Sequence, residues 1–222
     1  MNTLSAQSVE VVPEVVRTLR GGRIAIVPTQ RWYMICCDAE RRDLVEQIHH
    51  AKRRPLDKPL LMLMPDPAYL RKCFQTSAPA SRLIDRLLPG ELSLLMAWRS
   101  TEMRDRYLSA PPEGTLVSCA PGLLGAVTSA FGAPLACTSA NVSGEPSPEA
   151  GGPAISIAQV RAFVDGSGLR AALVVNGGIC PNFQPTTVVD AMDMKAEPVI
   201  IRQGFVHDTA IEMALMAGGC DE

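Results

Sequence analysis

The sequence is poor in the groups from which many catalytic centres are built. Only three histidines, His49, His50 and His207, occur in 222 residues. None has ligand spacing, so no transition-metal centre is expected. Seven cysteines stand at 36, 37, 73, 119, 137, 180 and 220, without a C-x-x-C pair. An odd count of thiols in apolar surroundings reads as reduced cysteines rather than a disulfide framework, and points to a cytoplasmic protein. Nothing orients Cys36 or Cys37 against His49 or His50, which argues against a thiol nucleophile. Ten aromatic residues are few for a platform that stacks bases of a single strand. Apolar runs such as Leu60 to Met64 are too short to span a bilayer. Residues 1–15 lack a basic segment followed by an apolar one, so neither a secretory leader nor membrane attachment is expected. The G-x-x-x-x-G-K-[ST] pattern of a P-loop is also missing.

What is present is an ordinary core and an uneven charge. Hydrophobic residues make up 47% of the chain, enough for one large domain or two small ones. Residues 1–106 carry 17 Lys and Arg against 12 Asp and Glu, whereas residues 107–222 carry 4 against 11. The first half can therefore offer a basic surface to a nucleotide or RNA, or simply solvated helix faces. Helical spacing predicts helices over 8–20, 41–51, near 66–73, 78–88, 122–131 and 156–164, with a helical tail from 207. Short apolar runs predict strands at 24–27, 60–64, after Pro89-Gly90, at 115–119, 135–137 and 172–175, and two more in TTVVDA and PVIIRQG. Strands mixed with helices, without strict βαβ alternation, indicate a single α/β domain with a mixed, twisted sheet.

Four stretches could carry chemistry. Pro28-Thr29-Gln30-Arg31-Trp32-Tyr33 follows a buried strand and is either a binding loop or an ordinary turn. Lys52 to Lys58, KRRPLDK, places four cations in seven residues at a helix end. It reads as a phosphate clamp of Lys52, Arg54 and Lys58, or as cations favoured at a helix C-terminus. Thr138-Ser139-Ala140-Asn141-Val142-Ser143 sets small uncharged donors after a strand, suited to phosphate or ribose oxygens, or to capping loose backbone. Thr186-Thr187 precedes a strand, and Arg202 ends the next, so the two could close a site from the far side.

Taken in order, these pieces form a pattern: P-T, K-x-R-P-x-x-K-P-L, P-G with a hydroxyl three residues on, T-S-A-N-x-S-G, T-T-V-V-D and I-x-R-x-G. The pattern resembles the YrdC/YciO-like family over residues 8–206, with a C-terminal part most similar to the YciO branch. The resemblance implies a sheet wrapped around a concave, basic cavity. It implies formation of threonylcarbamoyl-AMP and pyrophosphate from L-threonine, bicarbonate and ATP with Mg²⁺, for the t6A modification of tRNA, with separate proteins making the transfer. It assigns phosphates to Lys52, Arg54 and Lys58, nucleotide contacts to Ser139, Asn141 and Arg202, and the amino-acid side to Thr29; beside these, Thr187 is read as a further nucleotide contact and Thr138 and Thr186 as further substrate contacts. Lys52 and Arg54 would be the groups nearest the chemistry. Residues 207–222 would form a helical tail outside that domain.

Three positions depart from the family pattern. Gln30 stands where an acidic residue is usual, Met34 where glycine is usual, and Ser118 where an arginine faces the threonine carboxylate. A neutral hydroxyl cannot replace a bidentate guanidinium fork. Three readings stay open: a threonylcarbamoyl-AMP synthase in which another group such as Arg31 takes the carboxylate, an ATP-using relative with another acceptor, or a non-catalytic homologue that binds nucleotide or double-stranded RNA.

Overall fold

The computed structural model describes residues 1–107, 114–144 and 152–216. Its strands are β1 (Asn2–Ser5), β2 (Ile24–Pro28), β3 (Tyr33–Asp38), β4 (Leu61–Leu63), β5 (Leu92–Met96), β6 (Thr115–Ser118), β7 (Leu135–Ser139), β8 (Ala171–Asn176), β9 (Thr187–Asp190) and β10 (Val199–Arg202). Its helices are α1 (Val11–Arg20), α2 (Arg42–Ala51), α3 (Pro67–Cys73), α4 (Ala78–Leu87), α5 (Thr101–Asp105), α6 (Gly122–Phe131), α7 (Ile157–Ser167) and α8 (Asp208–Met216). The strands join one sheet in the order β1-β8-β2-β3-β7-β4-β6-β5-β9-β10. β2 lies parallel to β8, β4 to β6 and β5 to β9, while β3 runs antiparallel to both β2 and β7. The mixed sheet expected from the irregular alternation is therefore what forms.

Side-chain alternation explains why helices cover both faces. Along β2, Ile24 and Ile26 point to one face, and Ala25 and Val27 to the other. The first face is covered by Val45 and Ile48 of α2, Leu83 and Ile84 of α4, Val160 and Val164 of α7, and Ile211 and Ala214 of α8. The second is covered by Val15, Val16 and Leu19 of α1 with Leu124 and Val127 of α6. Polar caps start several of these helices: Asp66 accepts from Tyr69 N at 2.7 Å, and Ser77 and Ser156 act likewise for α4 and α7.

The structure adds elements that local pattern did not suggest. β3 is central and buried, yet its run YMICCD has no period of two, because both its faces are covered. β1 is a short polar strand held by parallel pairing with β8, with Asn2 to Ser5 opposite Leu173 to Asn176. α5 buries nothing. Strand β7 also runs further than expected: Thr138 and Ser139 are its last two residues, opposite Ile35 and Met34, rather than the start of a loop. The T-S part of T-S-A-N is thereby fixed by sheet hydrogen bonds. Of the Pro/Gly/Ser-rich stretch 143–154, which its composition marks as looser, residues 145–151 lie outside the described residues.

Candidate active site

A cavity of about 380 Å³ opens where several strands end. The β2–β3 connection contributes Thr29, Gln30 and Arg31 to its wall, and Met34 follows from β3. Glu91 enters just before β5, Ser118 at the end of β6, and Thr186 just before β9. The first residues of α6 complete the lining. That helix begins after Pro121 with no side chain capping it, so its first N–H groups lack the usual side-chain acceptor.

The cavity holds a buried ion pair. Arg31 Nε stands 2.5 Å from Glu91 Oε2, and the two residues are 7% and 9% exposed. The Arg31 guanidinium also lies over the Trp32 ring, 4.8 Å from its centroid. Its Nε edge is thus engaged and its face is stacked. Arg202 approaches from β10, donating from Nη2 to Thr186 O at 3.0 Å and to Thr186 Oγ1 at 3.2 Å. Burial lowers the pKa of Arg202, and repulsion from Arg31 lowers it further. Two guanidinium groups therefore share one small region with one carboxylate. Ser118 donates to Leu92 O at 2.6 Å, so its hydroxyl belongs to the sheet.

A second cluster surrounds Lys52. Its side chain is 2% exposed. Nζ lies 2.5 Å from Ser139 O, 2.7 Å from Asn141 O and 3.1 Å from Asn141 Oδ1, which uses all three ammonium donors. Ser139 Oγ donates to Asn141 Oδ1 at 2.6 Å. Arg54 donates to Ser143 Oγ at 3.2 Å, and also to Lys58 O and Pro59 O. Arg53 between them takes a left-handed conformation, φ 50°, which turns the chain so that Lys52 and Arg54 both meet the segment after β7. Burial, with the nearby Arg54 charge, pulls the Lys52 pKa down to about 7.

The residues marked out in the sequence thus fall into two groups. Thr29 and Thr186 line the cavity; Lys52, Arg54, Ser139 and Asn141 form the adjoining polar cluster; and the two meet where Met34, a lining residue, pairs with Ser139. Thr138 sits half-buried beside them in β7. Lys58 is exposed, and its carbonyl rather than its ammonium is bonded to Arg54. Thr29 Oγ1 donates to Trp32 O at 2.8 Å and accepts from the N–H groups of Arg31 and Trp32, which closes the turn that carries Arg31. Glu91 and the start of α6 were not singled out from sequence. The only signal for Glu91 was its place next to Pro89-Gly90.

Thr187 is fully buried, and its hydroxyl donates to Val206 O at 2.6 Å while accepting from Gly204 N at 3.0 Å. The glycine is required by close approach: a Cβ at 204 would stand 2.4 Å from Pro185 O. This corner fixes the strand that delivers Arg202. Thr187→Val keeps the shape and removes both bonds. It should destabilise the protein by about 1–2 kcal/mol, read as a fall in Tm of several degrees.

The described cysteines offer no competing chemistry. The six described ones are buried free thiols, and burial raises those of Cys37 and Cys137 well above the ordinary value and that of Cys180 to about 11. His49 turns Nδ1 toward the carbonyls of Arg54 and Pro55. No helix among the described residues is long and apolar enough to cross a membrane.

Comparison with known proteins agrees with this architecture. Over 199 residues the chain is 29% identical to threonylcarbamoyl-AMP synthase of Bacillus subtilis, spanning 89% of this chain but 54% of that protein. It is 30% identical over 181 residues to threonylcarbamoyl-AMP synthase of Xanthomonas campestris, spanning 79% of this chain and 90% of the relative. The chain therefore spans about half the length of one of these relatives and most of the other. Among solved structures, P. abyssi Sua5 complexed with L-threonine superposes with a TM-score of 0.78 at 23% identity, over 96% of this chain and 60% of that one. E. coli YciO superposes with a TM-score of 0.71 at 22% identity, over 95% and 96% of the two chains. A family model for Sua5, YciO and YrdC, described as telomere recombination, matches residues 17–204. With most of its length matched by that model and its fold shared with two members, the chain belongs to the Sua5/YciO/YrdC family.

Proposed function

We propose that the protein forms threonylcarbamoyl-AMP and pyrophosphate from L-threonine, bicarbonate and ATP, the step that precedes t6A formation in tRNA. One observation carries this reading. A cavity of amino-acid size, bearing a guanidinium, adjoins a polar loop backed by Lys52 and Arg54, through the paired residues Met34 and Ser139. The names of the relatives support the same activity.

The chemistry suits groups that hold charge rather than a nucleophile. L-Threonine and bicarbonate condense to a carbamate with loss of water. A carbamate oxygen attacks the α-phosphorus, forming a new P–O bond while the bond to pyrophosphate breaks. The protein's part is to hold two anions together, offset phosphate charge and keep water from a labile carbamate. The half-buried Arg54 and the exposed Lys58 and Arg202 supply cations for the phosphates. Lys52, its donors committed to Ser139 and Asn141, holds the nucleotide loop in shape and places positive charge behind it. Mg²⁺ enters with ATP as part of the substrate. Among the described residues the lining offers a single carboxylate, Glu91, and Arg31 engages it, so the metal would be held mainly through phosphate oxygens.

The test is mass spectrometry of purified protein incubated with ATP, Mg²⁺, bicarbonate and L-threonine. Threonylcarbamoyl-AMP with equimolar pyrophosphate is expected. ATP binding without any adenylate product from threonine would overturn the reading and leave a nucleotide-binding homologue.

A further inference from the structure

Among the described residues, Arg31 is a cation nine-tenths buried in the cavity wall with donors to spare. Its Nε is taken by Glu91 and its face by Trp32, while its terminal nitrogens have no protein partner among the described residues. The same cavity is lined by Gly122, Leu123 and Leu124, the first turn of the ten-residue helix α6. That turn follows Pro121 and has no side-chain cap. Uncapped N–H groups and the positive end of a helix favour an anion. A guanidinium edge favours a planar, bidentate one. Much of the remaining lining is apolar, with Met34, Leu61, Leu63 and Ile179 among it, beside the polar Thr29, Gln30 and Thr186. A compact anion on a small body with both apolar and hydrogen-bonding groups suits such walls.

We infer that Arg31 and the N-terminal turn of α6 together form the carboxylate receptor for the amino-acid acceptor, and that Glu91 is the positioning residue that aims the guanidinium. This inference rests on the proposed synthase reading and names the part of the site that recognises its acceptor. Without ligand, Glu91 keeps the buried guanidinium from standing alone. With ligand, the carboxylate takes the terminal nitrogens, and Glu91 keeps Nε. Recognition then requires a free carboxylate and tolerates a modest apolar side chain beside Met34. Ser118 takes no part, because its hydroxyl is given to Leu92.

The test compares L-threonine with L-threoninol, which lacks the carboxylate, in the wild-type chain and in an R31Q/E91Q variant. That double change removes both charges together and leaves neither buried group unpaired by its ion partner. Circular dichroism and thermal melting report folding, and calorimetric titration reports ATP and threonine binding. In wild type, L-threonine should bind at least about 30-fold tighter than threoninol, the scale of one or two charge-assisted bonds. In R31Q/E91Q, ATP affinity should stay within threefold, threonine affinity should fall at least 30-fold, and the preference over threoninol should vanish. R31K should recover only part of it, since an ammonium lacks the fork. A folded R31Q/E91Q that still binds threonine normally and rejects threoninol would overturn the Arg31 assignment while leaving the synthase reading intact. Wild-type protein that binds ATP and no amino acid would overturn both.

Discussion

Glu91→Gln should lower the stability of the protein by about 3–5 kcal/mol, the cost of leaving one member of a buried ion pair without its partner. Arg31 cannot deprotonate, and it is 7% exposed with one side-chain hydrogen bond among the described residues. Removal of the Glu91 charge strands that cation beside Arg202. For a chain of this size the loss corresponds to a fall in Tm of roughly 10 °C. The R31Q/E91Q double variant should recover most of it, because no unpaired charge then remains. Urea unfolding of wild type, both single variants and the double variant gives the coupling directly. A single variant as stable as wild type would show that the pair is solvated in solution.

Lys52→Met should have the largest effect on nucleotide handling and should also change how stability depends on pH. The ammonium holds Ser139 O, Asn141 O and Asn141 Oδ1, so a methionine removes three hydrogen bonds that tie the T-S-A-N segment to α2. ATP affinity should fall by about 30-fold or more as the loop loses its shape, with product formation falling further, a loss of at least about 2 kcal/mol. The pH effect has a definite sign. The folded group releases its proton near 7, whereas an unfolded lysine keeps it until about 10.4. Between those values the unfolded chain binds more protons, so stability should rise with pH through that window. The penalty is complete below pH 7. The full span is on the order of 4 kcal/mol at 1.36 kcal/mol per pKa unit. Unfolding measured at pH 6.5, 7.5, 8.5 and 9.5 should show a rise in wild type that is absent in Lys52→Met. Parallel profiles would mean that the carbonyl cage keeps Lys52 charged throughout.

Both predictions concern residues whose surroundings were not legible in sequence. Lys52 stood out as one of four cations in seven residues, read as a phosphate clamp or as charge favoured at a helix end. Its burial depends on a hydrogen-bond cage 87 to 89 residues further along the chain. Arg31 and Glu91 are 60 residues apart, and neither neighbourhood names the other. Ser118 was legible as a departure from the family pattern, but its bond to Leu92 was not. The Thr187 hydroxyl, read as a nucleotide contact, is occupied by the 204–206 turn. The glycine of I-x-R-x-G follows from that same turn.

By itself the sequence determined the class of fold, most of its elements and the family. Each of these rests on local information. The helix over 122–131 is set by its own turn residues and ends at Gly132 in a left-handed conformation, φ 79°. The motif K-x-R-P with T-S-A-N-x-S-G is a spacing that needs no coordinates. The tertiary structure alone decided that β3 lies at the centre of the sheet, that β7 extends through Ser139, and which cation is buried and which is free. Those outcomes follow from desolvation and from hydrogen bonds closed across long loops. Whether Arg31 faces a cavity or water is a property of the strands that pack around it, and no window of neighbouring residues contains them.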